Sequence, residues 1–377
     1  MRICVVQTVL PLYSISFFNH IVDFNSEIDL IVMTDLTSKD SLNQFTPKLC
    51  KFKTIQLNNF SLFGIFFRPN IISKLCNIKA DVVVFSASPR EWGQLAAMIY
   101  ARFMYGKIVT WGMFHRIGKP RLFTKIYFKL LGSLSDRCFT YSRVGATQLI
   151  NLGIKKSKIR VIGTAIDEKI PLLQTSSISE KELIDFKKDN QINGKKIILQ
   201  VVRLTRTKKP EILIHALKII LGHRDDVELV LIGAGEMELE LRELVSKLGL
   251  INNVKFLGAI YDEAKLCPWY LSSHVFVIPS FLGLSGHHAM SYGLPVVTDD
   301  SLDNQGSEFE IIYEGLNALI YKEGNVVDLA RVLLRLLSDD TLQKFLGENA
   351  LKTIQLHHNL ERKVNNFIEN ISQLTGS

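Results

Sequence analysis

Residues 197–232 read IILQVVRLTRTKKPEILIHALKIILGHRDDVELVLI, and this stretch decides the fold. Its apolar, β-branched ends, 197–202 and 227–232, predict two buried parallel strands. The segment between them, 210–221, has the length and apolar spacing of a helix. Two parallel strands joined by a helix form a right-handed crossover, so the stretch predicts one unit of a helix-covered parallel sheet.

The same alternation of strands and helices extends in both directions along the chain. Towards the C-terminus we expect helices at 236–248, 263–271 and near 326–337, and strands at 254–257 and 275–278. Towards the N-terminus, apolar runs at 3–6, 29–33, 81–85 and 160–164 predict the strands of another parallel sheet. The sequence therefore predicts an α/β protein with two Rossmann-like domains.

A polar stretch at 173–194, poor in large apolar residues, predicts a linker between the two domains. The N-terminal domain is then expected at 1–172 and the C-terminal domain at 195–355. The remaining segment, 356–377, is expected to form a helix that returns to the first domain. A chain of 377 residues is long enough for two such domains, each with its own core.

Cysteine usage and hydrophobicity exclude several classes of protein. The five cysteines are scattered without any Cys-x-x-Cys pair, so neither a disulfide framework nor a metal site is predicted. The apolar run at the N-terminus is too short for a signal peptide, and no stretch of about 20 uncharged apolar residues follows it. We therefore expect a cytoplasmic location.

Positive charge is concentrated in the first half of the chain. Residues 1–172 contain 23 Lys and Arg against 10 Asp and Glu, a net charge of +13, whereas the whole chain carries +8. Within 107–133, Arg121, Lys125 and Lys129 recur every four residues among apolar side chains, a pattern typical of an amphipathic helix.

This basic segment has two interpretations. Each basic residue near an anionic leaflet contributes about 1 kcal/mol, which would attach the N-terminal domain reversibly to the inner face of a membrane. The alternative is an ordinary surface helix that packs its apolar side inward. Because no nucleic-acid-binding motif accompanies the charge, no nucleic-acid partner is predicted.

Polar residues follow two of the predicted strands of the second half. Arg203 and Lys208 come just after 197–202, and fixed cations of this kind can neutralise the charge that develops on a diphosphate leaving group. In SFLGLSGHHAMSYGLPVV, residues 280–297, Ser285 is a predicted N-cap, and the amides of Gly286 and the two following histidines would point at an anion. His288 could hydrogen-bond a ribose hydroxyl or a phosphate oxygen.

Two further stretches have more than one interpretation. In GSEFEIIYEGLNALIY, residues 306–321, Glu310 could accept hydrogen bonds from ribose or sugar hydroxyls, and Glu308 is a rival for that role. Both could instead be partners of a helix dipole. The pair Gly233 and Gly235 is typical of a dinucleotide fingerprint, but Glu occupies the place of its third glycine, which favours a structural turn.

The second half resembles the glycosyltransferases of family 4, which adopt the GT-B fold of two facing Rossmann-like domains. The segment VVRLTRTKK matches the family pattern G-R-L-x-x-x-K at Arg203, Leu204 and Lys208, with Val202 replacing the glycine. Residues 283–297 match the family's helix start and its Gly-x-Pro-Val-Val ending. The family's two glutamates are missing there, and His288 stands at the position of the second, so the chain resembles a divergent member.

The resemblance implies a nucleotide-sugar donor and a retaining transfer that requires neither a metal nor another cofactor. It implies that Arg203 and Lys208 hold the diphosphate and act in catalysis. The other donor-side candidates are Gly283, Leu284, Ser285, Gly286, His288, Glu308 and Glu310.

In the N-terminal domain the resemblance indicates residues on the acceptor side. His115 lies where family members carry a histidine near the transferred sugar, and it is the third catalytic candidate. The neighbouring Arg116 could instead meet a phosphate. Tyr13 and Ser14 stand where some members have a Tyr-Arg pair, and Ser88 and Arg90 form another loop that could contact the acceptor.

We therefore expect a hexosyltransferase of bacterial surface polysaccharide assembly, such as that of lipopolysaccharide, which uses a glycan or lipid-linked glycan as its acceptor. Two alternatives remain. A nucleotide-sugar epimerase shares the architecture and needs no acceptor, and a non-catalytic binding protein would fit the missing glutamate pair.

Overall fold

The computed structural model describes residues 1–36, 47–62, 65–115, 118 and 122–376. The chain forms two compact units. The first combines Met1–Asp167 with Leu360–Ser377, and the second is Glu168–Asn359.

The first unit contains a parallel sheet whose described strands have the order β3-β2-β1-β6-β7-β8-β9. These strands are β1 (Arg2–Val6), β2 (Asp29–Thr34), β3 (Lys53–Gln56), β6 (Val82–Ser86), β7 (Ile108–Gly112), β8 (Arg137–Thr140) and β9 (Ile159–Val161), and a separate antiparallel pair is formed by β4 (Phe60–Leu62) and β5 (Ile65–Phe67). Central strands such as β1 and β6 are apolar and buried except at one end, Arg2 or Ser86, because helices cover both faces of the sheet.

The helices of the first unit divide between the two faces of this sheet. They are α1 (Leu12–Phe24), α2 (Ile71–Cys76), α3 (Gln94–Met104), α4 (Leu122–Leu134), α5 (Arg143–Asn151) and α14 (Leu360–Thr375). Side chains of α2, α3, α4 and α5 share one buried cluster, and those of α1 and α14 share another. The two clusters form the layers above and below the sheet.

The last helix, α14, completes the core of the first unit. Phe367 is fully buried, and its ring centroid lies 5.5 Å from that of Phe17, 5.9 Å from that of Trp111 and 5.6 Å from that of Phe139. A C-terminal helix therefore lies in the unit formed by the N-terminal residues.

The second unit contains another parallel sheet, with the strand order β12-β11-β10-β13-β14-β15 among its described residues. Its strands are β10 (Lys196–Val201), β11 (Val227–Ile232), β12 (Val254–Phe256), β13 (Val275–Val277), β14 (Val296–Asp299) and β15 (Ala318–Tyr321). The order reverses direction between β10 and β13, and this switch point leaves a crevice beyond the carboxyl ends of these two strands.

The helices of the second unit are α6 (Lys169–Ser177), α7 (Glu180–Asp189), α8 (Pro210–Ile220), α9 (Glu238–Lys247), α10 (Glu263–Leu271), α11 (Leu284–Ser291), α12 (Val326–Leu337) and α13 (Asp340–His357). The strands and helices predicted from 197 to 337 all form, with ends displaced by two residues or fewer. The predicted α/β fold with two parallel sheets is confirmed.

The segment 173–194, predicted as a linker, differs from that prediction. It contains the end of α6 and all of α7, both in the second unit. Ser179 and Glu182 form a capping box that starts α7, and Phe186 of α7 packs edge-on against Trp269 of α10 at 4.9 Å. A few well-placed apolar residues are thus enough to attach a mainly polar segment.

Candidate functional site

Lys208 occupies the carboxyl edge of the second sheet at its switch point. It ends a short 3-10 helix, Arg206–Lys208, which follows β10. Its Nζ donates a hydrogen bond to the carbonyl oxygen of Phe281 and lies 4.3 Å from the centroid of that ring. Two stretches far apart in sequence therefore meet, because each follows one of two neighbouring parallel strands.

The environment of Lys208 alters its acidity. Burial lowers the pKa of its ammonium group to about 8, and the nearby Glu308 carboxylate acts in the opposite direction. The ammonium is therefore poorly solvated, and a bound anion would stabilise its charged form.

The loop before α11 approaches Lys208 closely. Gly283 has φ +64° and ψ −175°, a conformation almost restricted to glycine, and a Cβ there would lie 3.1 Å from the Lys208 Nζ. Gly286 packs against Leu282, since a Cβ on it would lie 2.6 Å from the Leu282 Cγ. Glycine at both positions gives a compact loop around the ammonium.

Helix α11 begins earlier than the predicted N-cap, Ser285. Gly283 is the N-cap, because its left-handed φ allows the chain to turn into the helix there, and the Ser285 hydroxyl donates to the carbonyl oxygen of Leu282 at 3.4 Å. The amide of Gly286 donates to the Gly283 carbonyl oxygen at 3.2 Å. The backbone N–H groups that the start of α11 presents to an anion are therefore those of Leu284 and Ser285, and not those of the two histidines.

Of the two candidate glutamates, Glu308 is the one that the structure places beside Lys208. Both lie in the 3-10 helix Ser307–Ile311 and are half-buried. A Cβ on Gly306 would lie 2.5 Å from a Glu308 carboxylate oxygen and 2.8 Å from the Phe281 ring, so these groups are neighbours. Glu310 lies two residues further along the same turn.

Arg203 is held at the same edge by the glycine turn after β11. It is exposed between the buried residues Val202 and Leu204. A Cβ on Gly233 would lie 1.8 Å from the Val202 carbonyl oxygen, and one on Gly235 would lie 2.2 Å from that of Leu204. These glycines permit close backbone contact, which accords with the structural turn that the sequence favours.

Gln305 supports the loop, and no sequence pattern indicates this role. Its side chain is buried, and its Oε1 accepts a hydrogen bond from the Leu282 amide at 2.9 Å. Its Nε2 donates to Thr298 Oγ1 at 3.1 Å and to Asp299 Oδ1 at 2.7 Å. One amide side chain therefore connects the end of β14 to the loop that contacts Lys208.

We predict that Gln305→Leu loosens this loop. The Leu282 amide and the Asp299 carboxylate would lose a buried partner, which should lower the free energy of unfolding by about 2–4 kcal/mol. Hydrogen exchange of the segment 279–286 should become faster. Gln355→Leu, on the exposed side of α13, is the control and should leave exchange unchanged. Equal exchange in both variants would contradict this role of Gln305.

His288 differs from its predicted role. Its Nε2 lies 2.7 Å from Glu263 Oε1 and its Nδ1 lies 3.3 Å from the Tyr270 hydroxyl. The Tyr292 hydroxyl donates to the same Glu263 oxygen at 2.5 Å. Because both ring nitrogens contact α10, the structure does not offer them to a ribose or a phosphate. Glu263 lies 25 residues before His288, and no local sequence pattern indicates this contact.

The acceptor-side candidates lie at the carboxyl edge of the first sheet. Ser88 and Arg90 follow β6, and His115 follows the neighbouring β7, with its Nδ1 3.2 Å from the Met113 carbonyl oxygen. Tyr13 and Ser14 lie in the first turn of α1, just after β1, which pairs with β6. Arg116 and Arg121 lie outside the described residues.

A buried ion pair supports the loop of Ser88 and Arg90. The guanidinium of Arg68 lies 2.8 Å from a carboxylate oxygen of Glu91, and both side chains are buried. Burial raises the pKa of Glu91 to about 7 despite this pairing. The Phe66 amide also donates to the Arg90 carbonyl oxygen at 2.6 Å, so this loop is fixed to β5.

Sequence comparison identifies relatives of part of this chain. Residues 182–353 match the family model described as Glycosyl transferases group 1. Spore coat protein SA of Bacillus subtilis is 27% identical over 235 residues, and the amylovoran biosynthesis glycosyltransferase AmsK of Erwinia amylovora is 26% identical over 231 residues. These matches cover 60% and 59% of this chain but only 61% and 50% of the two relatives.

Structural comparison extends the likeness to nearly the whole chain. The crystal structure of Anabaena Alr3699/HepE in complex with UDP has a TM-score of 0.79, with 16% identity and 99% of each chain covered. The same protein in complex with UDP-glucose has a TM-score of 0.76. At this identity the likeness concerns the fold, and it confirms the GT-B fold predicted from the sequence.

Proposed function

We propose that this chain transfers a sugar from a nucleoside-diphosphate donor to a hydroxyl group, because residues 182–353 match the family model of the glycosyl transferases of group 1. The resemblance to these enzymes drawn from the sequence is confirmed. The observation that carries the proposal is the contact of Lys208 with the loop that starts α11, at the switch point of a parallel sheet.

The diphosphate of the donor would bind between Lys208 and the start of α11. The ammonium already lies against the loop, and the amides of Leu284 and Ser285 stand at the positive end of the helix. As the bond to the sugar breaks, negative charge gathers on the diphosphate, and these groups would stabilise it without further reorganisation. Arg203, at the same edge, would add a second cation.

Glu308 has a different part in this proposal. Its carboxylate neighbours Lys208. It would repel the donor diphosphate unless the Lys208 ammonium lay between the two anions. We propose that it holds the ammonium in position and accepts a hydrogen bond from a donor hydroxyl. Glu310 remains a candidate for a sugar or ribose contact.

We propose a hexose donor and transfer with retention of anomeric configuration. Both follow from the likeness to family 4 and not from a contact in the site. NMR of the product's anomeric proton would test retention, and an inverted product would contradict it.

The acceptor is proposed to be a glycan or a lipid-linked glycan of bacterial surface polysaccharide assembly, at the inner face of the cell membrane. One relative named above is an amylovoran biosynthesis glycosyltransferase, which supports this class. His115, Ser88 and Arg90 share one sheet edge and would meet the acceptor hydroxyl. No helix among the described residues is both long and apolar enough to span a bilayer.

Donor binding provides the direct test. UDP and UDP-glucose, each added at increasing concentration, should raise the melting temperature by mass action. Release of UDP that requires an added acceptor would then identify a transferase. Because both ring nitrogens of His288 contact α10 and the usual glutamate pair is missing, a non-catalytic binding protein is the second candidate, and binding without UDP release would favour it.

We predict that donor affinity falls at alkaline pH. Below pH 8 the ammonium of Lys208 is charged and the Kd for UDP-glucose should be constant. Above that pKa each further unit of pH should raise the Kd by up to about tenfold, since the neutral amine must first gain a proton.

Isothermal titration between about pH 6.5 and pH 9 would measure this dependence. Lys208→Met is the control, because it should bind weakly at every pH and show no rise. A constant Kd across this range for the unaltered chain would contradict a role for the Lys208 charge.

A further inference from the structure

Two helices of the first unit expose large apolar side chains. On α3, Phe103 is 85% exposed and Met104 is 61% exposed. On α4, Phe123 is 73% exposed and Leu122 is 69% exposed. Ile99 of α3 and Ile126 and Leu130 of α4 are exposed as well.

These residues are not needed for the core of the unit. Ala97, Met98 and Ala101 of α3 and Tyr127 and Leu131 of α4 already fill the cluster under the helices. The alternative of an ordinary helix with its apolar side packed inward therefore leaves the outer side of α4 unexplained. Single exposed apolar residues are common, but one stripe on each helix is not.

The two stripes belong to one face. Both helices pack against the same side of the sheet, share one core cluster and contact each other. Side chains three or four residues apart lie on one side of a helix, as do Ile99 with Phe103, and Phe123 with Ile126 and Leu130. We define this surface as the α3–α4 face.

The charge around the α3–α4 face is mainly positive. Residues 92–135 contain seven Lys and Arg and no Asp or Glu. Lys125 and Lys129 are exposed on α4 between the apolar side chains. Arg102 of α3 pairs with Asp136 at 2.6 Å, just beyond this segment.

The exposed apolar and basic side chains of the α3–α4 face together indicate what kind of partner would bind there. Aromatic side chains set among lysines suit the boundary between headgroups and acyl chains of an anionic bilayer. A second copy of the chain would bring like charges together on an isologous interface. The lack of Asp and Glu in residues 92–135 also disfavours a basic protein partner.

We infer that the α3–α4 face binds an anionic lipid surface, with Phe103 and Phe123 inserted at the headgroup boundary and Lys125 and Lys129 among the headgroups. This inference adds a lipid-binding surface to the proposed function. It rests on that function only for the nature of the acceptor. Binding would be reversible, because two aromatic residues and a few lysines give far less than a spanning helix. It would also weaken with salt.

Co-sedimentation of the full chain with vesicles tests the inference. Vesicles of two parts phosphatidylcholine to one part phosphatidylglycerol should bind the chain at least about tenfold more strongly than phosphatidylcholine alone. The double variant Phe103→Ser/Phe123→Ser should lose at least about tenfold in binding to the anionic vesicles. Lys125→Glu/Lys129→Glu should do the same, and the effect should shrink at high salt.

Matched controls lie elsewhere on the surface. Phe24→Ser removes an aromatic residue that is 55% exposed on α1, on the opposite side of the sheet. Lys344→Glu changes an exposed lysine of the second unit. Both should bind anionic vesicles as the unaltered chain does.

Three results would overturn the inference: no preference for anionic vesicles, unchanged binding by both double variants, or a dimer that Phe103→Ser/Phe123→Ser dissociates. UDP-glucose binding, measured without vesicles, separates this inference from the proposed function. If it persists while vesicle binding fails, only the lipid surface is refuted. If vesicle binding holds while Lys208→Met leaves UDP-glucose affinity unchanged, the proposed function fails instead.

Discussion

Lys208→Met is expected to weaken binding of UDP and UDP-glucose by about 10- to 150-fold, because a hydrogen bond to a charged group contributes about 1.5–3 kcal/mol. Methionine keeps an unbranched apolar side chain, one atom shorter than that of lysine, but has no charge. The fold should survive, since the apolar methionine side chain can also lie against the Phe281 ring that the Lys208 Nζ contacts. Isothermal titration gives the Kd, and circular dichroism reports whether the structure is intact.

Neighbouring cations provide the comparison for this variant. Arg203→Met should weaken binding by about tenfold or more, because it removes the second proposed diphosphate contact. Arg206→Met should have little effect, since this guanidinium is exposed and pairs with Glu240 at 2.7 Å. Lys218→Met, on the exposed side of α8, should also leave the affinity for UDP and UDP-glucose unchanged. Unchanged affinity in both Lys208→Met and Arg203→Met would refute the proposed donor site.

Gly233→Ala is expected to destabilise the second unit strongly. The added Cβ would lie 1.8 Å from the Val202 carbonyl oxygen, and a backbone atom cannot move aside cheaply. The free energy of unfolding should fall by about 4 kcal/mol or more, which is among the largest effects of single substitutions. For a unit of this size that corresponds to a fall in Tm of about 8–16 °C, measurable by calorimetry.

Gly249→Ala separates this contact from backbone strain alone. Gly249 also has a positive φ, +70°, but a Cβ there would meet nothing within 4 Å. Its substitution should cost about 1–2 kcal/mol, the usual penalty for a left-handed residue. If both variants lost the same free energy of unfolding, the contact between the glycine turn and Val202 would add nothing to the cost of a positive φ.

The fold could be predicted from the sequence because strands and helices are local patterns. The strand at 227–232 and the helix at 263–271 occur where apolar spacing and flanking residues indicate them. The start of α11 was less accessible, because its position depends on the left-handed φ of Gly283. The segment 173–194 differs from the predicted linker for a similar reason, since the contact of Phe186 with Trp269 joins distant parts of the chain.

The site was predictable only where it followed strand ends. Lys208 and the loop of Phe281 follow the neighbouring strands β10 and β13, so their proximity could be expected from the sheet, whereas Glu308 follows β14, one strand further along. Gln305 and Glu263 gave no such signal, because the loop residue Leu282 lies 23 residues from Gln305 and His288 lies 25 residues from Glu263. Hydrogen bonds of side chains at these separations are set by packing and not by local sequence.

The position of α14 has a consequence for synthesis on the ribosome. Phe367 fills the space between Phe17, Trp111 and Phe139, yet it is translated after the whole second unit. Residues 168–359 can complete their own core while the nascent first unit still lacks one of its helices. The half of the protein translated first would therefore be the last to reach its native state, and until then its unfilled aromatic pocket would be open to chaperones.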